Sequence, residues 1–517
     1  MGRAPGGMEH VAVGDAAHVV TSAELGDVVA LSDRLAVDYL ERNALLPLRR
    51  EGDRVVVATW RAAVDVQALD DLRLLFGAAL DLVRGQEPEV RAAVQRAYSA
   101  EAVTARELIA GIGESAASPT ATDAEAALDD PRAQAGEAFV IRLVRRLLLE
   151  ALDARASDVH IEGYADALRV RYRIDGVLQE APSPPARLMP AVINRLKILA
   201  ELDIAERRSP QDGRIRLTLR DRAVDVRVAT LPTLHGESVV LRLLDADRGR
   251  AALAELGMAD DTRADFVRAI GRPHGIVLAT GPTGSGKTTT LYAAVDHIRT
   301  GREKILTVED PVEYELVGVP QVPVHERSGV TFATALRALL RQDPDVMLIG
   351  EIRDAETAEI ATQAALTGHL VLSTLHTNDA AGALTRLLDL GVAPFLVTST
   401  VEAVLAQRLV RTVCAGCRAR IPVDAWPAEL GEPAPPVVWR GAGCAACRGT
   451  GYRGRTGIYE LLVMHADLRA EVLQRRGDDT LRRVAAARGM RTLRDDGLRL
   501  VHAGVTTPEE VLRVTHG

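Results

Sequence analysis

Residues 275–290, GIVLATGPTGSGKTTT, decide the fold of this chain. They join a short apolar run to the spacing G-x-x-x-x-G-K-T, which begins at Gly281 and ends at Thr288. Glycines let backbone N–H groups turn towards phosphate oxygens, and the N-terminus of a following helix adds the positive end of its dipole. A strand, a glycine-rich turn and a helix in this order predict a phosphate-binding loop (P-loop).

This loop predicts a site for ATP and Mg²⁺. Lys287 is expected to reach the β- and γ-phosphates, and the Thr288 hydroxyl is expected to hold Mg²⁺. The residues expected to contact the nucleotide are Gly281, Pro282, Thr283, Gly284, Ser285, Gly286, Lys287 and Thr288. The competing interpretation is a glycine-rich turn that binds nothing.

Three further apolar runs end in polar residues. KILTV is followed by Glu309, DVMLI by Gly350 and Glu351, and LVLSTL by His376. Short apolar runs separated by helix-length stretches are typical of a parallel sheet that is buried on both faces. Because ligands bind outside the carboxyl ends of such strands, the P-loop, two carboxylates and an imidazole are predicted at one sheet edge. The predicted fold class is therefore α/β, a multidomain P-loop NTPase.

ATP hydrolysis requires a water molecule that is oriented towards the γ-phosphate. Glu351 is the first candidate to orient and deprotonate it. Glu309 is the second candidate, with polarising the water or holding the metal as its other possible roles. His376 is a candidate sensor of the γ-phosphate, and His369 is a weaker one. The alternatives are a strand cap or salt bridge for either carboxylate and a structural role for the histidines.

Four cysteines, the only ones in the chain, lie between residues 414 and 447. Cys414 and Cys417 form one C-x-x-C pair, and Cys444 and Cys447 form the second. Two such pairs can close a tetrahedral Zn²⁺ site with no open position, which predicts a structural metal. Free or redox-active thiols are the alternative.

Charge and hydropathy limit the function classes. The formal net charge of -8 argues against bulk electrostatic attraction to nucleic acid or anionic lipid. No stretch approaches the roughly 18 apolar residues of a membrane span, and no secretory signal is recognisable. The sequence therefore predicts a cytoplasmic protein that reaches a membrane only through a partner.

Changes in composition and pattern divide the chain into six segments. Residues 111–135 are rich in Ala, Ser, Thr, Asp and Pro without a sustained apolar face, which is typical of a flexible linker. The predicted segments are a small N-terminal α/β adaptor domain (1–110), the linker (111–135), a mixed α/β domain (136–250), a RecA-like ATPase core (251–410), a tetracysteine zinc subdomain (411–452) and a C-terminal helical part (453–517).

Several longer segments resemble those of the secretion and pilus-assembly ATPases, most closely the type II secretion ATPases. The resemblance extends from about residue 137 to 465. The matching segments are ASDVHIE, RYRIDGVL, LDIAERRSPQDGR, LPTLHGESVVLRLL, PHGIVLATGPTGSGKTTTLY, TVEDPVEY, LRQDPDVMLIGEIRD, TGHLVLSTLHTNDA and GYRGRTGIYELL.

The resemblance implies a homo-hexameric ring with ATP between neighbouring subunits. It implies that the domain at 136–250 docks on the next subunit's ATPase core and brings Arg214 and Arg227 near that neighbour's phosphates. It also implies that the N-terminal domain binds the cytoplasmic domain of an inner-membrane secretion component, so that the protein lies peripherally at that membrane.

The implied function is an ATP-hydrolysing motor that drives pseudopilus assembly and the export of folded proteins across the outer membrane. The nearest alternative is a type IV pilus assembly (extension) ATPase. A nucleic-acid translocase is a different class, which would require a basic groove and stacking aromatic residues. The acidic balance and an aromatic content of 3% speak against that class.

Overall fold

The computed structural model describes residues 10–12, 20, 25, 31, 35, 37–98, 104–110, 131–219, 222–244, 251–423, 426–431 and 434–515. The chain divides into two compact units, residues 1–243 and 244–517. Within the described ranges, no helix is both long and apolar enough to cross a membrane.

The first unit begins with a small α/β layer. Its strands are β1 (His10–Ala12), β2 (Leu45–Glu51), β3 (Arg54–Thr59), β4 (Ala63–Asp65) and β5 (Ala79–Arg84). Its helices are α1 (Val37–Asn43), α2 (Val66–Phe76) and α3 (Glu87–Tyr98). The sheet order is β2-β3-β5, with β2 antiparallel and β5 parallel to β3. Residues 45–59 thus form an antiparallel pair of strands around the turn at Gly52 and Asp53.

The second part of this unit is a six-stranded sheet with helices. Its helices are α4 (Ala105–Ala110), α5 (Pro131–Asp153) and α6 (Met189–Leu199). Its strands are β6 (Ala156–Gly163), β7 (Leu168–Ile174), β8 (Val177–Glu180), β9 (Gln211–Leu219), β10 (Arg222–Thr233) and β11 (Gly236–Leu244), in the order β8-β7-β6-β11-β10-β9. Apolar side chains of α5, α6 and one sheet face form its core, in which the buried Tyr172 hydroxyl donates to the Leu147 carbonyl at 2.9 Å.

Two segment boundaries differ from the sequence-based expectation. Residues 111–130 of the predicted linker lie outside the described residues, but 131–135 are already the first turn and more of α5. Pro131 suits the start of a helix because its missing N–H would have no partner there. Helix α4 packs on α5 and not in the N-terminal layer, since Ala105 is fully buried in the α5 core and its N–H donates to Glu150 Oε1 at 2.8 Å.

The second unit is built on a seven-stranded sheet. Its strands are β12 (Gly275–Thr280), β13 (Ile305–Glu309), β14 (Gln321–Pro323), β15 (Val346–Ile349), β16 (Leu370–Leu375), β17 (Val401–Val413) and β20 (Tyr452–Val463). The order is β14-β13-β15-β16-β12-β17-β20. All neighbours are parallel except β17 and β20. The four strands predicted to carry the site are therefore adjacent and parallel, as expected.

Helices cover both faces of this sheet. They are α7 (Asp260–Ile270), α8 (Lys287–Ile298), α9 (Phe332–Leu339), α10 (Ala355–Leu366), α11 (Ala380–Asp389) and α12 (Pro394–Thr400). β12, β13 and β16 are buried at every position, which explains why their sequences are continuous apolar runs without alternation.

The chain beyond residue 410 departs from the predicted division. β17 continues to Val413, and β20 pairs with it along almost its whole length, so Tyr452–Val463 completes the ATPase sheet. Most of β20 falls in the segment predicted to be the C-terminal helical part, so that boundary is wrong. Its pairing is non-local, because the cysteine region, with the hairpin β18 (Arg418–Pro422) and β19 (Val437–Gly441), lies between the two strands.

Four helices end the chain. They are α13 (Ala466–Leu473), α14 (Asp478–Ala487), α15 (Leu493–His502) and α16 (Pro508–Thr515). In α16, the Thr507 hydroxyl accepts from the Glu510 N–H at 3.4 Å and Pro508 occupies the first turn. This is a capped helix start of the kind that Thr-Pro-Glu-Glu predicts.

Candidate nucleotide site and cysteine cluster

The P-loop connects the buried strand β12 to the first turn of α8. Gly281, Gly284 and Gly286 have φ values of 142°, 78° and 90°, which favour glycine. A Cβ atom on Gly281 would lie 2.4 Å from the Gln407 carbonyl oxygen, so space as well as conformation requires glycine there. The predicted loop is therefore shaped by its glycines, with Pro282 and Thr283 exposed at its tip.

Lys287 is the first residue of α8 and is buried. Its Nζ donates to the carbonyl oxygens of Gly281, at 2.7 Å, and Pro282, at 3.1 Å, which places the ammonium inside the curve of the loop. Burial lowers the pKa of Lys287 to about 8; the Glu351 carboxylate opposes this shift and the Arg408 charge adds to it. Thr288 follows in the same first turn of α8.

Ser285 provides a test of whether the loop fits a phosphate. Its Oγ is buried and makes no hydrogen bond within the described part of the chain. Buried hydroxyl groups nearly always have a partner, so an acceptor from a ligand is the simplest completion of this group. Together with the α8 N-terminus and Lys287, this donor set fits a nucleotide phosphate.

Glu351 and His376 follow adjacent strands and meet at the same edge. His376 Nε2 lies 3.0 Å from Glu351 Oε2. The other carboxylate oxygen, Oε1, is paired with the Arg353 guanidinium. The Glu351 side chain is only 12% exposed, whereas those of His376 and Arg353 are 51% and 61% exposed. A nearly buried carboxylate is thus held between two exposed nitrogen groups.

Glu309 has different surroundings, although it also ends a strand at this edge. It is buried and accepts from the Tyr292 hydroxyl, from Thr307 Oγ1 at 2.6 Å and from Gln321 Nε2 at 3.0 Å. Tyr292 belongs to α8, and Gln321 begins β14. Both oxygens of Glu309 are therefore bound to protein donors that join the P-loop helix to the edge of the sheet.

Hydrogen bonds connect the ends of the central strands. Thr280 Oγ1, at the end of β12, lies 2.7 Å from Thr377 Oγ1 and accepts from the Thr377 N–H at 2.9 Å. Thr374 Oγ1 donates to the Gly350 carbonyl at 2.7 Å. Thr377, next to His376, is thus tied to the strand that carries the P-loop, and Gly350, next to Glu351, is tied to the strand that leads to His376.

His369 lies away from this edge. It precedes β16, and the carboxyl ends of the parallel strands are at the other end of that strand. Its Nδ1 lies 2.8 Å from the Ala364 carbonyl at the end of α10. This contact is a structural one, in agreement with the alternative that the sequence left open.

Arg408 is a neighbouring cation that sequence analysis did not select. It lies on β17, two residues beyond Ala406, which is opposite the end of β12. Its Nη2 donates to the Asn378 side-chain oxygen at 3.1 Å and to the Asn378 carbonyl at 3.3 Å. Burial lowers the pKa of Arg408. Only its adjacency to β12 in the sheet could have identified it.

Arg214 and Arg227 lie in the first unit. They are direct cross-strand partners on β9 and β10, and their neighbours Ile215 and Val226 point to the core. Both side chains therefore lie on the same face of the sheet, opposite the core.

The four cysteines converge on one point. All four Sγ atoms lie within 4.8 Å of one another. The sulfur pairs Cys414–Cys444 and Cys417–Cys447 are 3.8 Å apart, and Cys444–Cys447 is 3.7 Å apart. A tetrahedral ion with metal–sulfur bonds of about 2.3 Å has sulfur–sulfur edges of about 3.8 Å. The arrangement therefore fits one tetrahedral metal ion.

Backbone donors favour the thiolate form of Cys447, whereas burial raises the pKa of Cys417 to about 12. Burial alone would raise the pKa of Cys447, but the N–H groups of Cys444 and Gly451 donate to its Sγ at 3.1 and 3.3 Å, and the pKa falls to about 6. Thiolate is the form that binds metal. A Cβ atom on Gly441 would lie 2.1 Å from the Gly451 carbonyl oxygen. The lack of a side chain there therefore lets these two segments of the cysteine region approach each other.

Glu510, in α16, connects that helix to the end of β17, the strand that leads into the cysteine region. This buried carboxylate pairs with Arg411 of β17 at 2.6 Å and with Arg513 at 2.7 Å. Burial would raise the pKa of Glu510, but Arg513, Arg411 and the Arg411 N–H outweigh it and lower the pKa to about 2. Glu510 therefore remains ionised at any physiological pH.

Comparison with known proteins gives two family matches. A family described as Type II/IV secretion system protein matches residues 133–513. The MshEN domain matches residues 20–104. Together they cover most of the chain.

Individual relatives agree with the first match. Type II secretion system protein E of Pectobacterium carotovorum subsp. carotovorum is 45% identical over 489 residues, covering 94% of this chain and 98% of that protein. Type II secretion system ATPase E of Vibrio cholerae is 44% identical over 458 residues, covering 88% and 91%. Type II secretion system protein HxcR of Pseudomonas aeruginosa is 54% identical over 376 residues, covering 73% and 77%.

Solved structures share the fold. The pilus retraction motor PilT with bound ADP is 26% identical, with a TM-score of 0.50, and covers 72% of this chain and 97% of that one. The ATPase DotB of Yersinia pseudotuberculosis has a TM-score of 0.54 at 22% identity and covers 72% and 93%.

Proposed function

The chain belongs to the type II/IV secretion system protein family, and we propose that it is the ATP-hydrolysing motor of a type II secretion system. Its proposed task is to drive assembly of the pseudopilus and thereby the export of folded proteins across the outer membrane. The observation that carries the proposal is the juxtaposition of the Lys287 loop with the Glu351–His376 pair at one sheet edge.

The role proposed for each residue follows from the contacts of its side chain. The loop at 281–288 binds the phosphates through backbone N–H groups, and Lys287 neutralises their charge. Thr288 holds Mg²⁺, which supplies further positive charge to the phosphates when bound. Glu351 accepts a hydrogen bond from the attacking water and takes its proton, and His376 orients that carboxylate and responds to the γ-phosphate.

We propose that Glu309 acts less directly on the attacking water than Glu351 does. The three donors to Glu309 leave little capacity for a water molecule, which supports a role in holding the P-loop helix to the edge of the sheet. Glu351 keeps one oxygen beside an exposed imidazole, where a water can compete for it.

The cysteine cluster is proposed to bind one structural Zn²⁺ ion. Cys414, Cys417, Cys444 and Cys447 provide four sulfur ligands and no open position. The ion would close the base of the β18–β19 hairpin.

The proposed assembly is a homo-hexameric ring in which Arg214 and Arg227 act on the nucleotide of a neighbouring subunit. Their position side by side on one sheet face supports this role, because two adjacent guanidinium groups can bind one phosphate together. The N-terminal domain is proposed to bind the cytoplasmic domain of an inner-membrane secretion component. The protein would then be cytoplasmic and peripheral at that membrane.

Two measurements test the proposed function: ATP hydrolysis by the purified protein, and protein secretion by cells. We expect Lys287→Ala to keep less than a tenth of the ATPase activity, while the exposed Lys304→Ala remains near the unchanged protein. In cells, Lys287→Ala should block release of secreted proteins and leave surface pili intact. Loss of pili with normal secretion would instead support the type IV pilus alternative.

The adaptor role is tested by removing residues 1–103, which leaves α4 on its α5 core. ATP binding should persist, whereas secretion and sedimentation with membranes should be lost. A truncated protein that still sediments with membranes in cells containing the whole apparatus would contradict the proposed partner.

A further inference from the structure

The segment that follows β15 holds a second charged residue, Arg353, beside Glu351. Its backbone is fixed on three sides: the Gly350 N–H donates to the Val308 carbonyl at 2.8 Å, the Ile352 N–H donates to the Thr374 carbonyl at 3.0 Å, and Asp354 caps α10. Ile352 is buried in the core, and the residues on either side of it, Glu351 and Arg353, are paired with each other. The backbone thus holds Arg353 next to Glu351.

We infer that Arg353 is a positioning residue for Glu351, which fixes the direction of the carboxylate for its work on the attacking water. The inference rests on the proposed function of Glu351. Arg353 binds Oε1 and His376 approaches Oε2, so each oxygen has its own nitrogen partner and the carboxylate cannot rotate freely.

Charge supports this role. The groups that act on Glu351 are Arg353, His376 and, at longer range, Lys287. The Arg353 guanidinium also interacts electrostatically with Asp310, which follows β13, and with Glu326, which follows β14. It is therefore a shared cation for acidic groups from three strand ends, and it reduces their mutual repulsion.

A surface ion pair without function is the simpler interpretation, since exposed pairs contribute little to stability. The exposures of the two side chains argue against it: the guanidinium is 61% exposed, but the carboxylate that it holds is 12% exposed. Removal of Arg353 would leave the fold nearly unchanged and would leave a buried carboxylate with one cation fewer. The expected effect is therefore on the reaction and not on folding.

The experiment measures kcat and KM of ATP hydrolysis, and the melting temperature, for the full-length protein and for Arg353→Gln, Arg353→Lys and Arg488→Gln. Arg488 pairs with Asp467 on the C-terminal helices at a similar exposure, so it controls for the loss of any surface ion pair. For Arg353→Gln we expect kcat to fall about 10- to 100-fold at neutral pH with KM within about threefold. Arg353→Lys should recover part of the loss, and Arg488→Gln should change neither constant.

The two kinetic constants and the conservative variant separate positioning from a structural effect. Positioning predicts a lower kcat with little change in KM for Arg353→Gln, and partial recovery for Arg353→Lys. A lower melting temperature of Arg353→Gln, or no recovery by Arg353→Lys, would mean a structural role. An increased KM with unchanged kcat would mean direct contact with ATP. Either result overturns the inference.

The two proposals fail separately. If Glu351→Gln hydrolyses ATP normally, the assignment of Glu351 fails. If Glu351→Gln is inactive and Arg353→Gln behaves like the unchanged protein, only the role of Arg353 fails.

Discussion

His376 Nε2 lies 3.0 Å from Glu351 Oε2, although 25 residues separate the two along the chain. The distance is short because β15 and β16 are parallel neighbours and each residue follows the end of its strand. The sheet topology, and not the spacing along the chain, therefore brings the imidazole within hydrogen-bond distance of the carboxylate.

Glu351→Gln and Glu309→Gln should have different effects. Glu351→Gln should bind ATP with near-normal affinity and lose hydrolysis by at least about 100-fold, because an amide cannot take a proton. Glu309→Gln should destabilise the protein by about 1–3 kcal/mol, because it places an amide N–H₂ among three donors. Turnover and urea unfolding of both variants provide the check. Normal hydrolysis by Glu351→Gln together with an inactive, stable Glu309→Gln would reverse the ranking.

ATP affinity should weaken as the pH rises above about 8. The pKa of Lys287 is about 8, and bound phosphate favours the protonated amine, so binding takes up a proton when the free lysine is neutral. The dissociation constant should increase by up to about tenfold per pH unit in this range. The guanidinium that Lys287→Arg introduces stays charged, so the weaker binding of that variant should be nearly independent of pH. Equal pH dependence in both proteins would contradict this assignment.

Zinc analysis of freshly purified protein should find one Zn²⁺ per chain. X-ray absorption should show four sulfur ligands at about 2.3 Å. Cys444→Ser should lose most of the metal and lower the stability of the region around β18 and β19, with ATP affinity within about threefold of normal. Much less than one equivalent of zinc in unchanged protein would count against the site.

Arg227→Ala should depress ATPase activity more than nucleotide binding. If the arginine acts across a subunit boundary, mixing Arg227→Ala with Lys287→Ala subunits should recover activity, because some boundaries then pair an intact loop with an intact arginine. Arg216→Ala is the matched control, since Arg216 lies on the same face opposite Asp225. No recovery in rings shown to be mixed would mean that Arg227 serves its own subunit or the fold.

Glu510 should make stability depend on acid pH. Its folded pKa of about 2 lies below the ordinary value of 4.5, so its contribution is complete above about pH 4.5 and is lost as the pH falls towards 2. Glu510→Gln should cost about 1–2 kcal/mol at pH 7, allowing for screening of the partly exposed Arg513. The difference should shrink by about pH 3. Glu509→Gln, which removes an exposed pair with Arg440, should have almost no effect.

Much of the site follows from local sequence. The spacing from Gly281 to Thr288 determines a P-loop because the requirements for glycine conformation, a preceding strand and a following helix all lie within one short segment. The cysteine pairs and the capped start of α16 are local in the same way. Apolar runs that end in Glu309, Glu351 and His376 indicate the sheet edge because parallel strands share one carboxyl end.

The tertiary structure decided what each polar side chain at that edge can do. Glu309 and Glu351 look alike in the sequence, but α8 and β14 bring Tyr292 and Gln321 onto Glu309 alone. The positions of Arg408 and of β20 also depend on strand neighbours that are far apart along the chain. Local spacing therefore determined which groups reach the site, and non-local packing determined which of them remain available for chemistry, because a carboxylate's hydrogen-bonding capacity is limited and its partners come from other strands and helices.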